Sequence, residues 1–425
     1  MNVKKALFNI FGPVILAALI LITILVMPNS SHKISQKTIY QASLSQSKNI
    51  FKGNVVKRAA FEENYVPFLG SSEFSRMDSF HPSSMAIHYD RSYRPFLLGA
   101  PGSQSLAQYF GMQGVNAALK GKKAVMVVSP QWFVKKGIET GAFNLYYSNL
   151  EAVSWLLHAT TSQVDRYAAK RLLTMTAGQN SNLIRKCLAK IADGQELTSF
   201  DKTYLKLKYN QLEREDRWFS TLAMNDRIGK IERVADKLPV QEDFSKLDEV
   251  AYKMGQKSAN NNQFDIYNKF WNKRLKKSWK HLKHKQSHFD YVSSPEFADF
   301  ELVLNQFKAN KMNVIFVIPP VNTKWMAYTG LSQEMLDDFN AKITYQLKSQ
   351  GFNHIVDLSQ DGGVDYFMQD TIHLGWRGWL KMDQAVSPFL SEKQAQPTYH
   401  LNKYFFSKEW QKMQGEELSN FLKDK

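Results

Sequence analysis

The chain has 425 residues, of which 44% are hydrophobic and 22% charged, and its mean hydropathy is -0.39. This composition excludes a polytopic membrane protein, and the length allows one large α/β domain with insertions or two smaller domains. The net charge of +16 favours an anionic partner, such as nucleic acid, anionic lipid headgroups or wall polyphosphates.

The first predicted element is a membrane anchor at 6–27. This segment, ALFNIFGPVILAALILITILVM, carries no charge and follows Lys4 and Lys5. At about 1.5 Å per residue, a helix of this length can cross a hydrocarbon core of about 30 Å. The lysines favour a cytoplasmic tail at 1–5, so everything after Pro28 would be extracytoplasmic. A cleaved signal peptide is the alternative, but its apolar region would span only about 7 to 15 residues and end in a small-residue cleavage site.

Residues 28–64 are polar and rich in Ser, Lys and Gln, which predicts a stalk with one short helix. The remainder, 65–425, is predicted to be an α/β domain with a doubly wound, mainly parallel sheet. Short apolar runs ending in Gly, Ser or Pro are typical of buried parallel strands, and helical patterns such as 103–119 lie between them. The predicted strands are 65–69, 95–98, 124–128, 314–318 and 353–358. The functional site of such a sheet lies beyond the carboxyl ends of its strands.

A helical insertion is predicted at about 142–288, where helix formers are abundant and no strand pattern appears. Within it, 264–288 has the pattern of a basic amphipathic helix, with one apolar stripe formed by Trp271, Leu275, Trp279 and Leu282. The stripe is predicted to pack on the core with the lysines in solvent. Contact with a membrane surface or an anionic polymer is the alternative.

Two further features bear on the site chemistry. The single cysteine, Cys187, excludes an intramolecular disulfide and is predicted to be a buried helix residue. Three histidines of the basic segment, His281, His284 and His288, lack a carboxylate partner and are surrounded by lysines. No metal is therefore expected there.

A pair of serines follows the first predicted strand. In FLGSSE at 68–73, a glycine ends the strand and the hydroxyls of Ser71 and Ser72 follow at a tight turn, near backbone N–H groups able to stabilise an oxyanion. A nucleophile is expected at such a turn. Gly-Ser-Ser is also an ordinary turn before a helix N-cap, so both interpretations stay open on this motif alone.

The segment DTIHLGW at 370–376 places Asp370 three residues before His373. One short loop could then supply a general base and the carboxylate that fixes the tautomer of its imidazole. An aspartate that caps a turn beside an unrelated histidine is the alternative.

Together these motifs resemble the SGNH/GDSL hydrolase fold, in which a serine follows the first strand and a late D-x-x-H supplies the rest of a triad. More closely, nearly the whole chain resembles the DltD family, which helps load D-alanine onto teichoic acids of Gram-positive bacteria. The closer resemblance is carried by the predicted anchor, FLGSSE at 68–73, PGSQS at 101–105, SPQWF at 129–133 and DTIHLGW at 370–376.

The resemblance implies a catalytic triad of Ser72, His373 and Asp370. Ser72 matches the nucleophile of the fold's Gly-Asp-Ser, and Ser71 takes the place of its Asp. A slip of one residue would instead make Ser71 the nucleophile.

The resemblance also implies an oxyanion site. Gly102 matches the glycine whose N–H donates to the oxyanion. Where the fold usually has Gly-x-Asn-Asp, this chain has Ser-Pro-Gln-Trp at 129–132, so the side chain of Gln131 would be the second donor.

The implied reaction is attack by Ser72 on a D-alanyl ester or thioester, followed by transfer of D-alanine to a hydroxyl of lipoteichoic acid. The chain would be a single-pass protein of the cell membrane that receives its D-alanyl donor from other Dlt pathway proteins, such as a membrane acyltransferase. No nucleic acid, metal or other cofactor is expected. The basic body suits a polyanionic acceptor.

Two other functions stay open on the sequence. An extracytoplasmic esterase, thioesterase or cell-wall deacetylase would use the same triad and pass the acyl group to water. A non-catalytic subunit that presents teichoic acid to a membrane acyltransferase would need the anchor and the basic surface but not Ser72.

Overall fold

The computed structural model describes residues 3–26 and 33–424 of an α/β protein. Its centre is a parallel sheet of five strands in the order β2-β1-β3-β4-β5. The strands are β1 (Tyr65–Leu69), β2 (Arg94–Leu98), β3 (Lys123–Val127), β4 (Asn313–Ile318) and β5 (Ile355–Asp357). The five predicted strands are confirmed, each to within two residues at either end.

Both faces of the sheet are covered. Ala124 and Met126 of β3 belong to one hydrophobic core, whereas Val125 and Val127 belong to the other, because successive side chains of a strand point to opposite faces. This arrangement is consistent with the predicted doubly wound fold. It also explains why β3 reads as an unbroken apolar run instead of an alternating pattern.

The first helix is α1 (Val3–Val26). Within the part of the chain that the structure describes, no helix is both long and apolar enough to cross a membrane. That part includes the predicted anchor at 6–27 only incompletely, since Met27 and several side chains between 6 and 26 lie outside the described residues. The anchor therefore stays a prediction.

Residues 33–64 belong to the folded domain. They form three helices, which are α2 (Gln36–Ser45), α3 (Lys48–Lys52) and α4 (Val55–Glu62). Most of their buried apolar side chains join the core on one face of the sheet, including Ile39, Ile50, Phe51, Val56 and Phe61, whereas Leu44 joins the core on the other face. The prediction of a stalk is wrong for this segment, because these few apolar residues recur at helical spacing among polar ones and a polar average conceals them. Residues 28–32 of the predicted stalk lie outside the described residues.

Helices connect the strands and fill the predicted insertion. Between β1 and β3 lie α5 (Pro82–His88), α6 (Ser105–Met112) and α7 (Asn116–Leu119). Between β3 and β4 the described chain has no strand, as predicted for 142–288. Its helices up to residue 258 are α8 (Thr140–Tyr146), α9 (Asn149–Leu156), α10 (Gln163–Leu173), α11 (Thr176–Gln179), α12 (Asn182–Ala192), α13 (Ser199–Phe219), α14 (Ile228–Ala235) and α15 (Phe244–Ser258). Cys187 is fully buried on α12, as predicted.

The segment 264–288 does not form the continuous helix that was predicted. It is divided into α16 (Asn268–Phe270), a π-helical turn (Trp271–Leu275) and a 3-10 helix (Trp279–Leu282). This broken backbone lets the four residues of the predicted stripe gather around Phe264 and Trp325 instead of lying along a straight helix. The packing of the stripe into the protein is thus confirmed, although its helical geometry is wrong.

The remaining helices follow the insertion and close the fold. They are α17 (Glu296–Ala309), α18 (Thr323–Thr329), α19 (Gln333–Lys348), α20 (Trp376–Ser391), α21 (Lys408–Lys412) and α22 (Gly415–Lys423). Because all five strands are parallel, their carboxyl ends meet at one edge of the sheet. The loops after β1, β2 and β3 and the loop before α20 meet at this edge.

Candidate active site

The loop after β1 carries the serine pair. β1 ends at Leu69, and the chain turns at Gly70 and Ser71 into a 3-10 helix, Ser72–Ser75. Ser71 is buried, whereas Ser72 is half-buried and more accessible. The two hydroxyls therefore occupy different environments although they are adjacent in sequence.

The loop before α20 carries the histidine and the aspartate. Met368 and Leu374 form an antiparallel β-bridge, and the N–H of Gln369 donates to the carbonyl of His373 at 2.8 Å. This bridge closes a short loop, 369–373. Inside it, one oxygen of Asp370 accepts the backbone N–H groups of residues 372 and 373, each at 3.1 Å. The carboxylate and the imidazole are thus fixed relative to each other.

The structure brings together the three side chains that the two motifs supply. Ser72 Oγ lies 2.7 Å from His373 Nε2, and His373 Nδ1 lies 2.8 and 2.9 Å from the two oxygens of Asp370. Asp370 is 1% exposed and His373 5% exposed. The hydroxyl, the imidazole and the carboxylate therefore form one continuous hydrogen-bonded chain, although Ser72 lies 301 residues before His373 in the sequence.

The charge on Asp370 fixes the histidine tautomer. Burial opposes ionisation of this carboxyl, but its electrostatic interaction and hydrogen bond with His373 and the charge of Arg76 outweigh burial and lower its pKa to about 2. An ionised carboxylate can only accept hydrogen bonds, so His373 Nδ1 carries the proton. The lone pair of Nε2 then faces Ser72 Oγ, as a general base requires.

The structure brings Ser71 to other partners. Its hydroxyl donates to the carbonyl of Ala100 and accepts the N–H of Gly102, both at 3.2 Å. Gly102 has a φ of +86°, and a Cβ there would lie 2.9 Å from the Cβ of Ala142. A glycine is therefore required at this turn, and its N–H is engaged by Ser71.

The second candidate for an oxyanion donor, Gln131, is not held against the other site residues. Gln131 is half-buried on the 3-10 helix Pro130–Trp132, which follows β3. Within the described residues, its side chain makes no hydrogen bond to Ser72, His373 or Gly102. Its predicted role stays a prediction.

Comparison with known proteins identifies the family. Residues 43–391 match the family described as DltD protein. The chain belongs to the DltD family. It is 45% identical to Protein DltD of Lacticaseibacillus rhamnosus over 96% of this chain and 97% of that protein. Identity to Protein DltD of Bacillus subtilis (strain 168) is 32%, over 89% of this chain and 96% of that protein. The resemblance inferred from the sequence motifs is confirmed.

Two charged residues of this DltD family member touch the site without having been predicted. Arg76 forms an ion pair with Asp370 (Nη2 to Oδ2, 2.9 Å) from the residue that follows the 3-10 helix of Ser72. Glu73 is 1% exposed, accepts the N–H of Ser71 at 2.6 Å and also accepts the hydroxyl of Ser129. Glu73 thereby joins the loops after β1 and β3. Glu73 ends the motif FLGSSE at 68–73, which could have suggested it, whereas Arg76 belongs to none of the motifs and only its closeness to Ser72 in sequence points to it.

A basic cleft of about 990 Å³ opens beside this site. Among the described residues that line it, eight are Lys or Arg, and Asp78 is the one acid. The eight basic residues are Arg76, Lys230, Arg233, Lys237, Lys257, Lys269, Lys273 and Arg274. Burial raises the pKa of Asp78 to about 7, even though Phe80 N–H and the amide of Gln369 donate to it. Asp78 therefore offsets little of the positive charge.

The described part of the chain holds no group of three His, Cys, Asp or Glu side chains placed to bind a metal ion. His281, His284 and His288 all lie in the broken basic segment, and the backbone of His284 donates to the carbonyl of Tyr328 at 3.1 Å.

Proposed function

We propose that this chain transfers D-alanine to lipoteichoic acid through a seryl-acyl intermediate, from an extracytoplasmic domain held at the cell membrane by the segment 6–27. The observation that carries the proposal is the 2.7 Å contact between Ser72 Oγ and His373 Nε2, with Asp370 on the opposite ring nitrogen. Membership of the DltD family supplies the expected acyl group and acceptor. The side chains supply the reaction class.

Acylation begins at Ser72. His373 Nε2 removes the hydroxyl proton as Oγ attacks the carbonyl carbon of a D-alanyl ester or thioester. The bond from that carbon to the donor oxygen or sulfur then breaks, and the proton passes from Nε2 to this leaving atom. Asp370 stabilises the transient imidazolium and holds its ring in place.

Deacylation repeats these steps with a new nucleophile. A hydroxyl of the polymer gives its proton to Nε2 and attacks the acyl carbon, the bond to Ser72 Oγ breaks, and Oγ regains the proton. The N–H of Gly102 and the amide of Gln131 are the proposed oxyanion donors. For Gly102 this role requires its hydrogen bond to Ser71 to weaken, since the hydroxyl of Ser71 now accepts that N–H.

The basic cleft supports a polyanionic acceptor over water. A poly(glycerol phosphate) chain carries one negative charge per repeat, and eight lining cations would raise its concentration near the site. Arg76 links the two features, because it lines the cleft and pairs with Asp370. An esterase that releases a small acyl group to water would gain nothing from such a cleft.

The test compares two adjacent serines. In cells whose only copy carries Ser72→Ala, lipoteichoic acid is expected to lose its D-alanine esters, whereas Ser71→Ala keeps the hydrogen-bonded pair with His373 and retains a substantial fraction. Mass spectrometry of protein quenched during turnover should find the D-alanyl adduct on Ser72. Full alanylation in the Ser72→Ala cells would contradict the proposal and favour a non-catalytic subunit.

A second measurement separates transfer from hydrolysis. The full chain is given a D-alanyl thioester with and without poly(glycerol phosphate), and the release of free D-alanine is compared with its transfer to the polymer. Transfer is expected to exceed hydrolysis when polymer is present. Equal hydrolysis in both samples, with no polymer product, would favour an esterase.

A further inference from the structure

The outward face of α13 is unusually apolar. This helix of 21 residues begins with a capping box at Thr198 and Asp201 and packs Leu205, fully buried, into the core. On the opposite side, Phe200 is 77% exposed, Leu207 64% and Trp218 46%. At 100° per residue, these three side chains lie within about 20° of one line along the helix. With Tyr204, also exposed, they form what we call the α13 stripe.

The α13 stripe has the surroundings of a helix that lies on a membrane. Lys206 and Lys208 flank it on either side, and Gln211 and Arg214 interrupt its middle. The stripe continues past the helix end into Leu222, which is 55% exposed. Aromatic and aliphatic side chains between flanking lysines are typical of helices that insert their apolar face among lipid headgroups. Lysines on such flanks reach anionic headgroups with their ammonium ends.

Three of the four acidic residues of α13, which are Asp201, Glu213 and Asp216, face the protein and are engaged there. Asp201 pairs with Lys190, and Glu213 pairs with Arg58 at 2.7 Å. Asp216 accepts the backbone N–H groups of Asn54 and Val55, at 2.7 and 2.8 Å. The bonds of Glu213 and Asp216 attach α13 to α4, and the pair of Asp201 with Lys190 attaches it to α12. The fourth acid, Glu215, lies beside the stripe and accepts the side-chain amide of Gln211 at 2.9 Å, so the flanks carry two lysines and one acid.

The α13 stripe also lies close to where the predicted anchor joins the domain. Arg217 of α13 and Lys33 line one cleft, and α1 approaches α13. Lys33 comes six residues after Met27, the last residue of the predicted anchor. Six residues of extended chain span at most about 20 Å, so the carboxyl end of α13 must remain within that order of distance from the bilayer.

We propose that α13 docks on the outer surface of an anionic bilayer, with its stripe among the headgroups. The inference rests on the proposed anchoring at 6–27. Docking adds a second membrane contact to that of the anchor and fixes the orientation of the domain above the membrane. A single tether alone would let the domain rotate, whereas a stripe about 27 Å long from Phe200 to Trp218 would not.

The test places an environment-sensitive fluorophore on the stripe of the full chain. Leu207→Cys is labelled with a nitrobenzoxadiazole dye in a Cys187→Ala background, and the chain is reconstituted in vesicles of phosphatidylglycerol and phosphatidylcholine. Val240→Cys, labelled in the same way, is the matched control because Val240 is 91% exposed and lies outside α13. The dye at 207 is expected to shift to the blue and to be quenched by lipids spin-labelled at the headgroup. The dye at 240 is expected to do neither.

A second experiment tests whether the charges of the flanking lysines contribute to docking. Replacing both flanking lysines, Lys206→Gln with Lys208→Gln, should lower the docked-to-free ratio of the labelled helix by roughly fivefold per lysine, and Lys308→Gln on α17 should leave it unchanged. Vesicles of phosphatidylcholine alone should weaken docking in the same direction.

A dye at 207 that remains in water on anionic vesicles overturns the inference, and would leave the stripe to a protein partner. Vesicle flotation after an alkaline wash shows whether anchoring fails too. Chain that floats with its 207 dye in water refutes docking alone, whereas chain that does not float refutes the anchor as well. Neither result bears on transfer through Ser72.

Discussion

Asp370 controls the state of the Ser72–His373 contact, because its negative charge holds the proton on Nδ1 and leaves Nε2 free to accept. In Asp370→Asn the amide can donate to Nδ1, which favours the tautomer with the proton on Nε2, facing Ser72 Oγ. D-alanyl transfer is expected to fall by about 10³- to 10⁴-fold in kcat. Steady-state transfer assays check this, with the exposed Asp365→Asn as the charge-matched control. A loss of less than tenfold would show that the carboxylate does not set the tautomer.

The same carboxyl predicts a pH dependence of stability. Its pKa is lowered from 3.8 to about 2, so the folded protein binds fewer protons there than the unfolded chain. The stabilisation is present above pH 3.8 and is lost as the pH falls through about 2, and it amounts to about 2 kcal/mol. Between pH 4.5 and 2.5, the unfolding free energy measured in urea should therefore fall less steeply for Asp370→Asn. Equal slopes for both proteins would refute the lowered pKa.

A substitution at Gly102 tests the conformation of the turn after β2, whose N–H donates to the hydroxyl of Ser71. Gly102→Ala combines a positive φ with a Cβ placed 2.9 Å from that of Ala142, and is expected to lower the unfolding free energy by about 1 to 3 kcal/mol. Gly141→Ala is the control, since nothing lies within 4 Å of its added methyl on α8. That change should stabilise by about 0.5 to 1 kcal/mol. Urea unfolding compares them, and equal effects would contradict the assigned conformation of Gly102.

Residue chemistry was predictable where it belonged to a motif. Ser72, His373 and Asp370 lie in short strings whose spacing carries a mechanism. Arg76 does not, because a single arginine near a turn has many ordinary explanations. The sequence does not separate Ser71 from Ser72, whereas in the folded protein the hydroxyl of Ser72 faces His373 and that of Ser71 faces Ala100 and Gly102.

At the scale of elements, α4 is joined to the insertion by a buried ion pair. Lys57 Nζ lies 3.3 Å from Glu151 Oε1 on α9, and it also donates to the carbonyls of Phe51 and Gly111. Both side chains are at most 1% exposed. Burial raises the pKa of Glu151 to about 7 and lowers that of Lys57. Each partner therefore depends on the other to remain charged.

Removing the lysine alone should be costly. Lys57→Met leaves a buried carboxylate without its cation and is expected to lower the unfolding free energy by about 3 to 5 kcal/mol, and adding Glu151→Gln should restore most of it. Lys253→Met is the control, because its pair with Glu249 is 74% and 71% exposed and contributes at most about 1 kcal/mol. Urea unfolding of the parent protein, Lys57→Met, Glu151→Gln and the double variant gives the coupling energy. A coupling below 1 kcal/mol would mean that the pair is not buried in solution.

Elements were predictable where periodicity was unambiguous. The strands are nearly continuous apolar runs, because both sheet faces are covered, and such runs stand out from any background. The helices of 33–64 and the broken turns of 264–288 depend on contacts with distant residues, such as Asp216 and Trp325. The local sequence pattern does not contain those contacts, so it predicted a stalk for 33–64 and one straight helix for 264–288.

At the scale of the whole molecule, the net charge of +16 was known from composition, but its concentration in one cleft was not. The eight cations come from segments at 76, 230–237, 257 and 269–274, which only the tertiary fold brings together. Composition therefore predicted an anionic partner without predicting where it binds. In the proposed function that partner would bind in the cleft, beside Arg76 and the Ser72 loop.

Salt should separate binding of the polymer from the chemistry at Ser72. With poly(glycerol phosphate) as acceptor, kcat/KM is expected to fall by about tenfold or more between 50 and 300 mM NaCl, because screening weakens long-range attraction to the cleft. Hydrolysis of a small uncharged ester should change little, since the pairing of Asp370 with His373 is buried and poorly screened. Lys269→Gln with Lys273→Gln should flatten the salt dependence for the polymer, and Lys308→Gln should not. If transfer to the polymer and hydrolysis of the small ester respond equally to salt, the cleft does not hold the polymer, and the positive charge must act elsewhere on the molecule.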